Sequence, residues 1–290
     1  MLMFNLKIQL NLSQKHWKIN MEFWQNIYSH FNPVAFNLGP VAVHWYGIMY
    51  ALALISAIYI AKWFIKYDNI NISEELFDSY VWWAEIGVIL GARIGYILFY
   101  DTHTAYYLTH PWQMFNPFIN GTFNGISGMS YYGAFFGFIF ASYLFCRKNK
   151  ISFWFITDIA VLGVSAAYVF GRIGNFFNQE LIGRATDVPW GIYVGNVLRH
   201  PSQLYEAVLE GLLVFAILFY LRNRKSFNGQ LAIIYGISYS TGRIIAEFFR
   251  QPDSQLGFIY SDWVTMGMLQ SVFTLGICVI LYLKVKKINS

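Results

Sequence analysis

Residues 154–176 read WFITDIAVLGVSAAYVFGRIGNF. At about 1.5 Å per residue a helix of this length reaches about 35 Å, enough to cross a hydrocarbon layer of about 30 Å. Between Asp158 near one end and Arg172 near the other there is no charge at all. A soluble core helix of this length would alternate apolar and polar faces; this one is apolar all round. The stretch therefore reads as a membrane span with an arginine placed inside it, where insertion costs about 2.5–3.5 kcal/mol.

Outward from that stretch the same pattern repeats. Apolar runs at 42–65, 80–100, 129–146, 154–176, 204–221, 229–249 and 262–283 predict an all-α integral membrane protein of about seven spans. The composition agrees: 57% of the 290 residues are hydrophobic and 12% charged, about half the charge of a typical soluble domain. Ten Trp and 21 Tyr suit a chain with many membrane–water boundaries to anchor. The net charge of +5 comes from short basic clusters at the ends of apolar runs, so it predicts topology and no nucleic-acid partner. Lys62, Lys66, Arg147, Lys148, Lys150, Arg222, Arg224, Lys225, Lys284, Lys286 and Lys287 fall on one side, and only Arg184, Arg199 and Arg250 lie between spans on the other. The positive-inside rule then puts the C-terminus in the cytoplasm and the N-terminus, with the long loops 101–128 and 177–203, outside. Residues 1–20 contain no apolar stretch fit for a signal-peptide core, and Met21 opens a segment that runs into the first span. The sequence predicts that 1–20 are a non-native or dispensable extension and that 21–290 form one polytopic domain. Cys146 and Cys278 lie far apart with no metal-ligand spacing, and no cofactor or metal is expected.

Several charges remain inside or at the edges of the spans: Arg93, Arg172, Arg243, Glu85, Asp158, Glu206, Glu210 and Glu247. Each needs a partner, a wet cavity or a charged ligand. Arg243 and Glu247 are four residues apart and share a helix face, as do Glu206 and Glu210. Glu85 and Arg93, two turns apart, can pair structurally. Arg172 differs because it sits among small residues in Gly171-Arg172-Ile173-Gly174, with Asn175, Asn178, Gln179, Glu180 and Arg184 following. Planar guanidinium groups grip phosphate through two parallel hydrogen bonds, so two arginines on one boundary cavity point to a phospholipid headgroup.

The stretch from Gly171 to Arg184, GRIGNFFNQELIGR, resembles the signature of the prolipoprotein diacylglyceryl transferases. Residues 38–50 (LGPVAVHWYGIMY), 91–100 (GARIGYILFY), 199–211 (RHPSQLYEAVLEG) and 243–255 (RIIAEFFRQPDSQ) are similar to that family's other motifs in order and spacing, over roughly 32–285. The resemblance implies a multi-pass enzyme of the bacterial cytoplasmic membrane. Its reaction would move the diacylglyceryl group of phosphatidylglycerol to the lipobox cysteine of a prolipoprotein signal peptide, leaving a thioether and glycerol phosphate. It implies Arg172, Arg243, Tyr132 and Tyr46 as catalytic residues. Arg172, Asn175, Glu180, Gly183, Tyr239, Arg243 and Glu247 are implied as the phosphatidylglycerol site. One position departs: the family typically has Gly-Met-Ser-Phe-His-Gly-Gly where this chain has Gly128-Met129-Ser130-Tyr131-Tyr132-Gly133-Ala134. A tyrosine near pKa 10 does not exchange protons easily at neutral pH, as histidine does. Tyr132 is therefore expected to act by hydrogen bonding, with His44 and His200 as possible substitutes for the histidine. Two other readings use the same buried charges: a paralogue that binds phospholipid without this activity, and a transporter.

Overall fold

The computed structural model describes residues 21–39, 41–119, 122–123, 128–252 and 257–289, so the expectation for residues 1–20 lies outside the described residues. Its long helices are α1 (Trp45–Tyr67), α2 (Glu74–Phe99), α3 (Tyr131–Asn149), α4 (Phe153–Phe177), α5 (Ser202–Leu221), α6 (Gln230–Glu247) and α7 (Met266–Asn289). Among the described residues five of these, α1, α2, α4, α5 and α7, are long and apolar enough to cross a membrane. The other two fall on predicted spans but are less apolar: α3 ends in Arg147 and Lys148, and α6 carries Arg243 and Glu247 among Gly, Ser and Thr. Only 17% of the most apolar window of α1 and 11% of that of α7 is buried in the protein. Tyr59, Phe99 and Phe273 stand more than two-thirds exposed. Such faces suit contact with lipid chains, where they cost nothing.

Helices do not account for everything. Among the described residues three antiparallel strand pairs qualify the all-α expectation: β1–β2 (Val34–Leu38, Val41–His44), β3–β4 (Phe118–Ile119, Thr122–Phe123) and β5–β6 (Ile192–Val194, Val197–Arg199). The first leads directly into α1; the other two lie in the long loops.

Two compact units make up the chain. One is Lys62–Thr157; the other joins the described residues up to Ala61 with those from Asp158 onward. Within Lys62–Thr157, α2 and α3 pack through small residues. Gly87, Gly91 and Gly95 recur every fourth residue on α2 and face Gly133, Gly137 and Ala141 on α3. A Cβ on Gly91 would come within 2.7 Å of the Gly137 Cα and would strike the Gly133 carbonyl. The backbones touch, which is how helices associate where no hydrophobic effect drives them together. Ser130 caps α3 by accepting from Gly133 N at 3.1 Å, and its own N–H donates to Ala92 O at 2.9 Å. Arg93, predicted as an ion-pair partner, is buried and donates to the backbone oxygens of Met114 (2.5 Å) and Gly128 (3.2 Å), beneath the Tyr107 ring. It pins the loop that follows α2 to that helix.

In the other unit Asp158 resolves its own cost. Its buried carboxylate accepts from Gly229 N (2.9 Å), Ala232 N (3.0 Å) and Lys225 Nζ (3.0 Å). A residue of α4 thus caps the N-terminus of α6, meeting both the unsatisfied amides and the positive end of the helix dipole. Gly211 on α5 backs onto Val169 of α4, and Gly242 on α6 onto the Leu209 carbonyl of α5. These two close approaches bring three charged helices together. Residues Ala207–Leu212 of α5 form a π segment, a wider turn often found at functional sites.

Three substitutions test this packing. Gly137→Leu forces a side chain into the α2–α3 seam and should cost about 1–3 kcal/mol or prevent folding, whereas Gly276→Leu, on an open face of α7, should melt like the parent in detergent. Asp158→Ala should lower stability by about 1–2 kcal/mol from the lost cap, read as a lower midpoint in a detergent-solubilised thermal melt.

Candidate functional site

Arg172 lies near the end of α4, Arg243 near the end of α6, and Glu206 and Glu210 on α5 between them in sequence. Both glutamates are fully buried, while the two arginine side chains each keep 13% of their surface exposed. One oxygen joins the arginines: Glu206 Oε2 is 2.9 Å from Arg172 Nη1 and 3.2 Å from Arg243 Nη1. The other, Oε1, is 3.6 Å from Arg250 Nη1. Glu210 stands further back, 3.7 Å from Arg172 Nη2 through one oxygen and 3.7 Å from Arg243 Nη1 through the other. Glu247 pairs with Arg243 Nη2 one turn away and accepts from Thr265 Oγ1 at 2.7 Å. Three guanidinium groups therefore face three carboxylates in a region nearly closed to solvent, which offsets the desolvation that each charge would suffer alone.

Tyrosine and asparagine side chains orient this cluster. Tyr168, one turn before Arg172, accepts from Arg172 Nε at 2.7 Å and donates to Glu210. Its ring meets Tyr239 edge-on at 5.6 Å, which places Tyr239 one turn before Arg243 against the same group. Asn175 accepts from Arg172 Nη1 at 3.3 Å and donates to Glu180 Oε1 at 2.8 Å; Asn178 donates to the other Glu180 oxygen at 3.2 Å. Glu180 sits in a turn whose neighbours, Gln179 and Leu181, both take left-handed backbone angles (φ 57° and 54°). Such angles are costly for residues with side chains and persist only where the surroundings impose them.

Gly183 follows in the same loop, bridged to Arg250 just past α6. A Cβ there would strike the His200 carbonyl, so glycine is required for the approach. Arg199 Nη1 holds the Gly183 carbonyl at 3.0 Å, and Arg184 reaches the carbonyls of Arg250 (2.9 Å) and Glu247 (3.0 Å). The signature loop is thereby sewn to the end of α6.

The structure brings together Arg172, Asn175, Glu180, Tyr239, Arg243 and Glu247 of the expected site, with Gly183 in the loop beside them. Tyr46, at the start of α1, lies against Gly174 and within electrostatic reach of Glu180 and Arg172. Tyr132 belongs to the Lys62–Thr157 unit, on the first turn of α3, and is 40% exposed. His200 packs against Phe249 and meets the Tyr205 hydroxyl at 3.2 Å, and burial pushes its imidazole below the usual range, with Asp187 opposing. Sequence reasoning missed Glu206, Glu210, Tyr168 and Arg250 as members of the site. For the glutamates the signal was present, since two carboxylates one turn apart in an apolar run need cations. Among the described residues no three His, Cys, Asp or Glu side chains converge as a metal site. The acids converge on guanidinium nitrogens instead.

Chemically, the cluster holds two guanidinium groups from different helices close enough for one oxygen to meet both. An anionic oxygen the size of the Glu206 oxygen touches both arginines at once. Arg243 Nη1 is buried, within ion-pair distance of two carboxylates, yet makes no hydrogen bond among the described residues.

The profile of the family described as prolipoprotein diacylglyceryl transferase matches residues 33–284. A phosphatidylglycerol–prolipoprotein diacylglyceryl transferase of Aliarcobacter butzleri is 77% identical over 268 residues, 92% of this chain and 98% of that protein. Proteins of the same name from Campylobacter lari and Campylobacter jejuni are 56% and 55% identical, each over 93% of this chain and all of their own length. Residues 33–284 include every element that carries the arginine cluster, and the chain belongs to the prolipoprotein diacylglyceryl transferase family.

Proposed function

We propose that this chain transfers the diacylglyceryl group of phosphatidylglycerol to the lipobox cysteine of prolipoproteins. The cysteine sulfur forms a bond to the glyceryl carbon that carries the phosphate. The carbon–oxygen bond breaks, and its electron pair leaves on the phosphate oxygen as glycerol phosphate. The thiol proton passes to a base. The observation that carries this reading is the single carboxylate oxygen shared by Arg172 and Arg243 from two helices. A phosphate oxygen would meet the two guanidinium groups on the 13% of their surface that the carboxylates leave exposed. Both arginines then meet the charge that grows as the leaving group departs, and fixed positive partners act most strongly where charge develops.

The remaining parts of the reading follow from topology and chemistry. Seven spans, the outer N-terminus and the cytoplasmic C-terminus would set Arg172, Asn175 and Glu180 toward the outer face of the bacterial inner membrane. Phosphatidylglycerol would arrive laterally and the signal peptide from outside. Asn175 and Glu180 orient Arg172, while Glu247 orients Arg243. Tyr46, Tyr239 and Gly183 border the lipid headgroup, and Tyr132 acts as a hydrogen-bonding residue. In this reading the chain is one functional domain.

Two experiments test the proposal. In a bacterium depleted of its own transferase, the parent chain should restore growth. Arg172→Lys and Arg243→Lys keep the charge but lose the two-pronged geometry, and each should slow lipid transfer at least about 100-fold. Failure of a well-expressed parent to rescue would refute the proposal. Tyr132→Phe should remove most activity in a vesicle assay of thioether formation; an unchanged rate would strike Tyr132 from the site.

A further inference from the structure

The turn that carries Glu180 is held from outside the arginine cluster. Gln203, in the first turn of α5, is fully buried, and its Nε2 donates to the Glu180 backbone oxygen at 2.5 Å and to the Tyr28 hydroxyl at 3.3 Å. A backbone carbonyl only accepts, so the amide can face it only with its NH2 group. Ser202 beside it donates to the Leu181 oxygen at 3.0 Å. Within the turn Gln179 Nε2 donates to the backbone oxygens of Tyr28 (3.1 Å) and Phe31 (3.3 Å). Gln179 is itself one of the two left-handed residues, and its side chain ties that end of the turn to Tyr28 and Phe31. Tyr28 is itself buried between Phe31 and Phe176. Three residues along α5 from Gln203, on the same face, comes Glu206, the carboxylate that joins the two arginines.

We infer that Gln203 is a positioning residue for the transfer reaction. By fixing the main chain of Glu180 it aims that carboxylate at Asn175, which in turn sets the orientation of the Arg172 guanidinium. The inference rests on the proposed function. One helix turn therefore controls Arg172 twice, directly through Glu206 and indirectly through Gln203, Glu180 and Asn175. Loss of the Gln203 donor leaves the charge of Arg172 in place and alters its angle. An error of angle weakens the transition state, whose charge is localised, more than it weakens binding of the lipid.

The test uses the full chain in phosphatidylglycerol vesicles with a lipobox peptide. Gln203→Met has similar volume and no donor, and it should lower kcat at least about 10-fold while KM for phosphatidylglycerol changes less than about 3-fold. Glu180→Gln should lower kcat by itself, and adding Gln203→Met to it should cost less than about 3-fold more, because both changes act through Asn175. Should Gln203→Met fail to fold, Gln203→Glu keeps the shape and is judged at pH 8 by the same two criteria. An unchanged kcat, a loss confined to KM, or losses that multiply in the double variant would each overturn the inference while the parent remained active. A parent without transfer activity would overturn the proposed function and this inference with it.

Discussion

Everything in the larger unit turns on the Glu206 carboxylate. It is fully buried, contributes one oxygen to Arg172 and Arg243 together, and offers the other to Arg250. A charge at that depth is tolerable only if the surrounding charges answer it, and here they do so from α4, α6 and the turn after α6. Remove it and two guanidinium groups lose their common partner, which is the expensive way to break a buried ion pair. The rest of the site is arranged around this requirement. Tyr168 and Asn175 fix one arginine, Glu247 and Thr265 fix the other, and glycines at 211 and 242 let the helices approach closely enough for the contacts to form.

The two units satisfy the same physical demand by different means. In Lys62–Thr157 the helices adhere because glycines let backbone meet backbone, and the single buried arginine, Arg93, is spent on loop carbonyls. Around α4, α5 and α6 the glue is ionic, with charge set against charge. The first arrangement brings two backbones into direct contact. The second holds donors and acceptors that an incoming anion can share.

Much of this was legible in the sequence, and the reason differs from element to element. Apolar runs gave the helices because hydrocarbon thickness demands about twenty such residues. Their ends were less visible: α2 begins at Glu74, six residues before its apolar run, because Ser73 accepts from Leu76 N and Lys62 pairs with Asp78 at 2.8 Å. Capping, not hydropathy, decides where a helix starts. The β5–β6 hairpin had a signal in the Gly195-Asn196 pair between Val194 and Val197, a two-residue turn that needs a positive φ, and Gly195 supplies it at 61°. Arg172, Asn175 and Glu180 stood together in the sequence and stand together in space. Glu206 and Arg250 joined them only through the packing of three helices, which no local pattern encodes. The π segment of α5 left no mark in composition at all.

The sequence positions of the balancing charges also matter for how the protein is made. A membrane chain is threaded into the bilayer from its N-terminus, and each span must tolerate lipid before later ones arrive. Arg172 on α4 is followed by Glu206 and Glu210 on α5, the next span, and then by Arg243 with Glu247 on α6. A lone arginine costs about 2.5–3.5 kcal/mol at mid-depth, and so does a lone acid. For Arg172 the counter-ions sit on the next helix, so that charge meets its partners once α5 is in place. Order along the polypeptide becomes the order of neutralisation, and a circularly permuted chain that parted α4 from α5 would lose that advantage while keeping every contact of the finished fold.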